Sequence, residues 1–206
     1  MNDRRGVFIT VEGSDGAGKS TQIAAIRDFF KKRGMKVVTT REPGGTTIGE
    51  KLRDILIDPA NGEMCDETEM LIYAAARAQH VKEKIIPALE TDCVVISDRF
   101  TDSSIAYQGY GRELGGIVAD INMAATGGLE PDLTFWLDIE PASGRDRIGE
   151  DRELDRIERE NDIFHLRVRE GYEALALNHS DRIIRIDASQ PKEDVTANII
   201  CYLEKF

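Results

Sequence analysis

The sequence predicts an α/β fold in which a parallel sheet carries helices on both faces, formed as one domain across residues 1–206. Three observations carry that expectation. Short apolar runs recur from end to end, amphipathic helical patterns lie between them, and turn residues bound each run. Runs this apolar suit strands buried on both faces.

Val7–Val11 is the first such run, and a glycine-rich turn follows it at Gly13–Ser20. Ile23, Ile26 and Phe30 then stand at helical spacing, with Gly34 as a stop. Val37–Thr40 is the second run, followed by Arg41-Glu42-Pro43-Gly44-Gly45 and a helical period at Ile48, Leu52, Ile55 and Leu56. Cys93–Ser97, Leu133–Leu137 and Ile183–Ile186 complete the strands. Val195, Ile199 and Leu203 mark the last helix, which Pro191 opens where a missing N–H goes unneeded. Gly144 to Glu160 breaks the rhythm: twelve of its seventeen residues are charged. Such a run reads as a solvated helix laced with i, i+4 ion pairs.

Composition excludes several classes of function. Hydrophobic residues make up 41% and charged residues 32%, so a buried core is available and disorder is excluded. Lys plus Arg number 27 against 38 Asp plus Glu, a net charge of −11. A nucleic-acid backbone or an anionic membrane would be repelled over most of that surface, so neither is an expected partner. The cysteines (Cys65, Cys93 and Cys201) are widely spaced and form no CxxC pair, which fits a reducing compartment. No signal-like apolar stretch opens the chain, and no run approaches the roughly 18 apolar residues of a membrane span. The expectation is a cytoplasmic protein.

Gly13-Ser14-Asp15-Gly16-Ala17-Gly18-Lys19-Ser20 matches GxxxxGK[ST], with a strand before it and an amphipathic helix after it. Glycines let several backbone N–H groups converge on one anion. Lys19 adds a charge near the β- and γ-phosphates, and the Ser20 hydroxyl can ligate Mg²⁺. No NKxD element for guanine is present. The strand CVVIS ends in Asp98-Arg99, a place where a carboxylate organises Mg²⁺ and an Arg adds a cation to the same crevice. Thr101 to Arg112 crowds hydroxyls (Ser103 and Ser104 among them), an amide, aromatics and two glycines into one loop suited to a polar ring-shaped ligand. The Pro-Gly-Gly turn behind Arg41 can fix a guanidinium toward an anion.

VEGSDGAGKSTQ, TREPGG, DRFTDSSIAYQGYGR and ELDRIERE stand in that order over essentially the whole chain, and together they resemble the thymidylate kinase family. The resemblance implies a P-loop fold with a five-stranded parallel sheet, a homodimer, and transfer of the γ-phosphoryl group of Mg-ATP to dTMP. It implies that Gly13 to Thr21 hold ATP, that Ser20 and Asp98 serve the metal, and that Arg41 and Arg99 face the dTMP phosphate. Asp15 corresponds to the carboxylate that takes the sugar 3′-hydroxyl. On the helix Thr68–Gln79, Tyr73 stands where an aromatic, usually Phe, stacks on thymine, and Arg77 one turn later donates to its O4. Tyr107 crowds the sugar 2′ position, Gln108 touches the base, and Ser103 and Ser104 belong to the dTMP set. Residues 144–160 become a lid. Gly16 stands where one subgroup carries an Arg, so Arg147 or Arg152 in the lid is expected to supply the catalytic cation.

Two other readings compete. A deoxynucleoside kinase would want a carboxylate base near a 5′-hydroxyl and would have less need of Arg41 and Arg99. An ATPase module without a small acceptor leaves Tyr73, Arg77 and SSIAYQG without a purpose.

Overall fold

The computed structural model describes residues 6–148 and 153–206. Five parallel strands form one sheet: β1 (Val7–Glu12), β2 (Val37–Arg41), β3 (Val94–Asp98), β4 (Leu133–Asp138) and β5 (Ile183–Asp187). Their spatial order is β2-β3-β1-β4-β5. Each predicted run is a strand, and each extends one residue further at its carboxyl end. Those extra residues include Glu12, Arg41 and Asp98, which lie at the edge where ligands of open α/β sheets bind.

Side-chain alternation along the strands supplies two cores. Ile9, Val11, Val94, Ile96, Phe135 and Leu137 face α1 (Lys19–Lys32) and α9 (Lys192–Leu203), meeting Ile26, Phe29, Phe30, Val195 and Ile199. The opposite face carries Phe8 and Val95. They pack with Val81, Ile85 and Leu89 from the π-helical turn Val81–Ile85 and the helix that continues it, between α3 (Asp66–His80) and β3. That helix is α4 (Ile86–Glu90). Trp136 and Ile183 on the same face meet Tyr107 and also Phe164, Val168, Tyr172 and Leu175 of a long C-terminal helix, Asp162–Asn178.

Three expectations change. The helix α2 (Thr47–Ile57) forms as predicted, yet Ile48 and Ile55 are exposed and only Leu56 of the four periodic residues is fully buried. The polar segment after Asp98-Arg99 is helical and not a loop. A short helix α5 (Thr101–Ser104) widens into a π-helical stretch, Ile105–Gly111, that buries Tyr107 and Gln108. The helix α6 (Ile117–Thr126) follows. Among the described residues the charged stretch is helical only at its start, in α7 (Pro141–Ile148). Two of its ion pairs reach outside it, Arg145 to Asp162 at 2.6 Å and Arg156 to Glu69 at 2.7 Å, while Arg159 pairs within it to Glu153 at 2.7 Å. Arg156 and Ile157 are buried, so this half is docked and not solvated.

The long helix α8 (Asp162–Asn178) packs against the π-helical stretch through Gly171, where a Cβ would stand 2.9 Å from Ala106 Cα and 3.0 Å from the Tyr110 ring. Gly171→Val is expected to lower stability by about 1–3 kcal/mol through overpacking, seen as a lower denaturant midpoint at unchanged m.

Candidate active site

The chain leaves β1 at Glu12 and turns through Gly13–Gly18 into α1. The Lys19 ammonium folds back over this turn, donating to Gly13 O at 3.1 Å and Ser14 O at 3.0 Å, with Asp15 Oδ1 at 3.5 Å. Burial and then the Arg99 charge lower its affinity for the proton, while Asp15 opposes them. Ala17 is part of the core under α1, so the turn is anchored from below. Gly16 has φ +80°, and a Cβ there would overlap the Gly144 carbonyl oxygen of α7. No Arg can occupy this position without displacing α7.

Parallel register brings Asp98 beside Val11 and Arg41, next to the turn. The Asp98 Oδ1 atom is buried and has no hydrogen-bond partner among the described residues. A hollow on that side is lined by Asp98, Ser20, Thr40, Arg41, Glu50 and Lys84, among others. Among the described residues no three His, Cys, Asp or Glu side chains converge as a metal cage. One orphaned carboxylate oxygen beside one hydroxyl fits Mg²⁺, which takes few protein ligands when phosphates complete its shell.

Arg99, at φ +69°, turns to the other side. Its Nη2 donates to Asp15 Oδ1 at 2.9 Å and its Nη1 to Ser103 Oγ at 3.3 Å, and the guanidinium lies 5.1 Å from the Tyr107 ring centroid. Burial would raise the Asp15 pKa, but the charges of Arg99 and Lys19 hold it well below the usual carboxylate range. Here a second hollow opens.

Asp15, Tyr73, Arg77, Arg99, Ser103, Ser104, Tyr107 and Gln108 all line this second hollow. Burial pushes the phenol pKa of Tyr73 up, and the Glu69 charge adds to it. Arg77 is fully buried: Nε donates to Glu42 Oε2 at 2.7 Å, Nη1 to Ser104 Oγ at 2.9 Å and to Asn122 Oδ1, and Nη2 to the Phe100 carbonyl at 3.0 Å. Four of its five N–H groups are thus committed among the described residues, leaving one on Nη2. Gln108 Nε2 donates to Glu69 Oε1 at 2.8 Å, which leaves its amide oxygen to other partners.

Arg41 does not join this group. It pairs with Glu50 at 2.7 Å and lines the hollow of Ser20 and Asp98. Neighbouring residues of a strand point to opposite sides, so as Arg41 faces one hollow Glu42 lines the other. The guanidinium that joins Arg99 and Arg77 around the hollow is Arg53 on α2, with Nη1 3.1 Å from the Pro43 carbonyl. Arg53, Glu42, Glu69 and Asn122 were missed. Arg53 lies on the helix whose period was read for its apolar residues alone, and the others are polar residues whose burial no short motif announces.

Arg147 lines a third groove that runs from Gly16, Ala17, Gly18 and Thr21 to the turn after β5. Its Nη1 donates to Ala188 O at 2.9 Å and its Nη2 to Ser189 O at 3.3 Å. Arg152 lies outside the described residues.

The family model described as "Thymidylate kinase" matches residues 11–199. A thymidylate kinase of Lactobacillus helveticus is 52% identical over 205 residues, covering 98% of this chain and 97% of that protein. One from a Geobacillus species is 48% identical, covering 95% of each chain, and one from an Exiguobacterium species is 46% identical, covering 96% and 93%. The chain belongs to the thymidylate kinase family.

In this family member one buried carboxylate ties the site together. Glu12 Oε1 accepts from Phe100 N at 2.7 Å, while Oε2 accepts from Ser103 Oγ at 2.5 Å and Tyr172 OH at 3.0 Å. Burial first, and the Asp102 charge second, raise its pKa from 4.5 to about 7. Glu69 has a similar place on α3. It accepts from Gln108 and from Arg112 Nη2 at 2.9 Å, with Arg156 Nη2 close by as a charge contact not aligned for a hydrogen bond.

Glu12 generates a pH prediction. Between pH 4.5 and 7 the folded state holds a proton on Glu12 that the unfolded state has lost, so this group's contribution to stability falls as pH rises, by at most about 1.4 kcal/mol per unit. In Glu12→Gln both hydroxyls can reverse and accept from the amide, and the fall over that window should be smaller than in the wild type. Chemical denaturation at pH 5, 6, 7 and 8 measures it; an identical profile in the variant contradicts the assignment.

Proposed function

We propose that the two hollows on either side of Asp98-Arg99 divide the work of a dTMP kinase. The enzyme transfers the γ-phosphoryl group of ATP to dTMP, giving dTDP and ADP. The observation that carries the division is the strand end itself: Asp98 presents an unsatisfied oxygen on the Ser20 side, and the next residue sends its guanidinium to the other.

On the donor side the amides of Gly13 to Thr21, the N-terminus of α1 and Lys19 bind the ATP phosphates. Ser20 and Asp98 are the residues that would hold Mg²⁺. Bound there, the metal would supply charge neutralisation for the phosphates during transfer. Arg147 closes the groove over the nucleoside end of ATP, and Arg152 remains the second candidate for the catalytic cation. Residues 144–160, of which 149–152 lie outside the described residues, are the lid that excludes water, with Arg156 as its anchor.

On the acceptor side Arg99 and Arg53 hold the dTMP phosphate, offsetting repulsion between two anionic substrates. Asp15, kept ionised by Arg99, accepts the sugar 3′-hydroxyl. Tyr73 stacks on the base, the remaining Nη2–H of Arg77 meets O4, Gln108 touches the base edge, and Tyr107 with Ser103 and Ser104 fills the sugar side. A phosphate oxygen is already nucleophilic, so catalysis consists of positioning and charge compensation, without a strong base.

Exposed Ile55, Leu71 and Met123 lie on α2, α3 and α6, where α3 packs against both neighbours, and this face is the surface for a homodimer. Leu71→Glu is expected to release monomers in sedimentation; an unchanged mass excludes the face. For the activity, a coupled ADP-release assay over nucleoside monophosphates and nucleosides should show turnover with dTMP and none with thymidine. Arg77→Ala should raise KM for dTMP about 10–100-fold, the worth of a lost charged hydrogen bond, and leave KM for ATP nearly unchanged. Equal damage to both constants contradicts the role of Arg77.

A further inference from the structure

The Arg77 guanidinium is not held by the base-side residues alone. Glu42, 4% exposed, accepts from Arg77 Nε through Oε2 at 2.7 Å and from His80 Nδ1 through Oε1 at 2.8 Å. His80 is fully buried, and its Nε2 stands 2.7 Å from Thr40 Oγ1. With Nδ1–H committed to the carboxylate, a neutral ring accepts from the Thr40 hydroxyl at Nε2. The chain of contacts therefore runs Thr40, His80, Glu42, Arg77, from the P-loop-side hollow to the base end of the other. Gly45 closes over it: a Cβ there would stand 2.7 Å from His80 Nε2 and 2.8 Å from Thr40 Oγ1. Thr40, Glu42 and Gly45 all come from TREPGG, so the guanidinium this motif fixes is the distant Arg77 as well as its own Arg41.

We infer that Glu42 and His80 are positioning residues for base selection. Neither is assigned contact with the reacting atoms. Glu42 fixes the plane of the Arg77 guanidinium so that its one uncommitted N–H faces the cavity, and His80, oriented by Thr40, fixes Glu42. A rigid donor at that point accepts a ring carbonyl and rejects an exocyclic amine, because a buried N–H facing another donor is left unpaired. Base selection therefore depends on a carboxylate in the cavity wall and an imidazole behind it. The inference rests on dTMP occupying the cavity.

The test uses the purified full chain with dTMP and dCMP as acceptors, and the variants Glu42→Gln and His80→Gln, alone and in an Arg77→Ala background. Glu42→Gln should raise KM for dTMP by about 5–50-fold, keep KM for ATP within about twofold, and shrink the dTMP-to-dCMP ratio of kcat/KM. The same substitution added to Arg77→Ala should change nothing further, since the group it positions is gone. Glu42→Gln leaves a buried guanidinium without its counter-charge, a change that can prevent folding; His80→Gln keeps that ion pair and should show the same pattern at smaller amplitude. Additive effects in the Arg77→Ala background, an equal rise in KM for ATP, or an unchanged acceptor ratio overturns the inference. A wild-type enzyme that turns over ATP with no dTMP dependence overturns instead the reading of the cavity on which it rests.

Discussion

The site depends on a carboxylate at the end of the central strand. Glu12 is the last residue of β1, and its two oxygens take a backbone amide after β3, a hydroxyl on α5 and a phenol on α8. Two segments far apart in sequence, one holding Phe100 and Ser103 and the other Tyr172, are thereby pinned to the strand that leads into the glycine-rich turn. An apolar residue there would leave those donors unsatisfied in a buried place, at a cost of roughly 1–3 kcal/mol each. Burial and the nearby Asp102 charge cost Glu12 part of its ionisation at neutral pH, against the hydrogen bonds from Ser103 and Tyr172 that favour it, so firm geometry is obtained through a carboxylate whose charge is disfavoured.

Strand alternation then sorts the charges. Along β2 and β3, neighbours face opposite sides of the crevice, and both Arg41-Glu42 and Asp98-Arg99 split in this way between two hollows. A cation and an anion therefore come from each strand end, one to each side. The protein has an overall charge of −11. It can still gather Arg53, Arg77 and Arg99 around one small cavity because Asp15 and Glu42 compensate two of them directly.

Much of the fold was legible because parallel strands announce themselves as apolar runs, and all five did. The site was legible where a motif names its residue, as with Lys19, Asp98-Arg99 and the SSIAYQG segment. It failed where direction mattered more than position. Arg41 sits in the right motif, but the sequence does not say which way a strand-end side chain turns. Arg53 lies on a helix where its charge looked like ordinary surface. Glu69 and Glu42 looked like solvent-facing acids, and only the tertiary arrangement shows guanidinium groups converging on them. The glycines and hydroxyls of the polar segment after Arg99 resemble turn chemistry, yet it forms a π-helical stretch whose buried contacts override local preference.

The contact between Gly16 and Gly144 has a mechanical consequence. Two backbones touch there with no side chain between them, so neither can give way by a change of rotamer. A displacement of the glycine-rich turn is therefore passed directly to the first turns of α7. The turn and the start of that helix are geared together at a single pair of glycines.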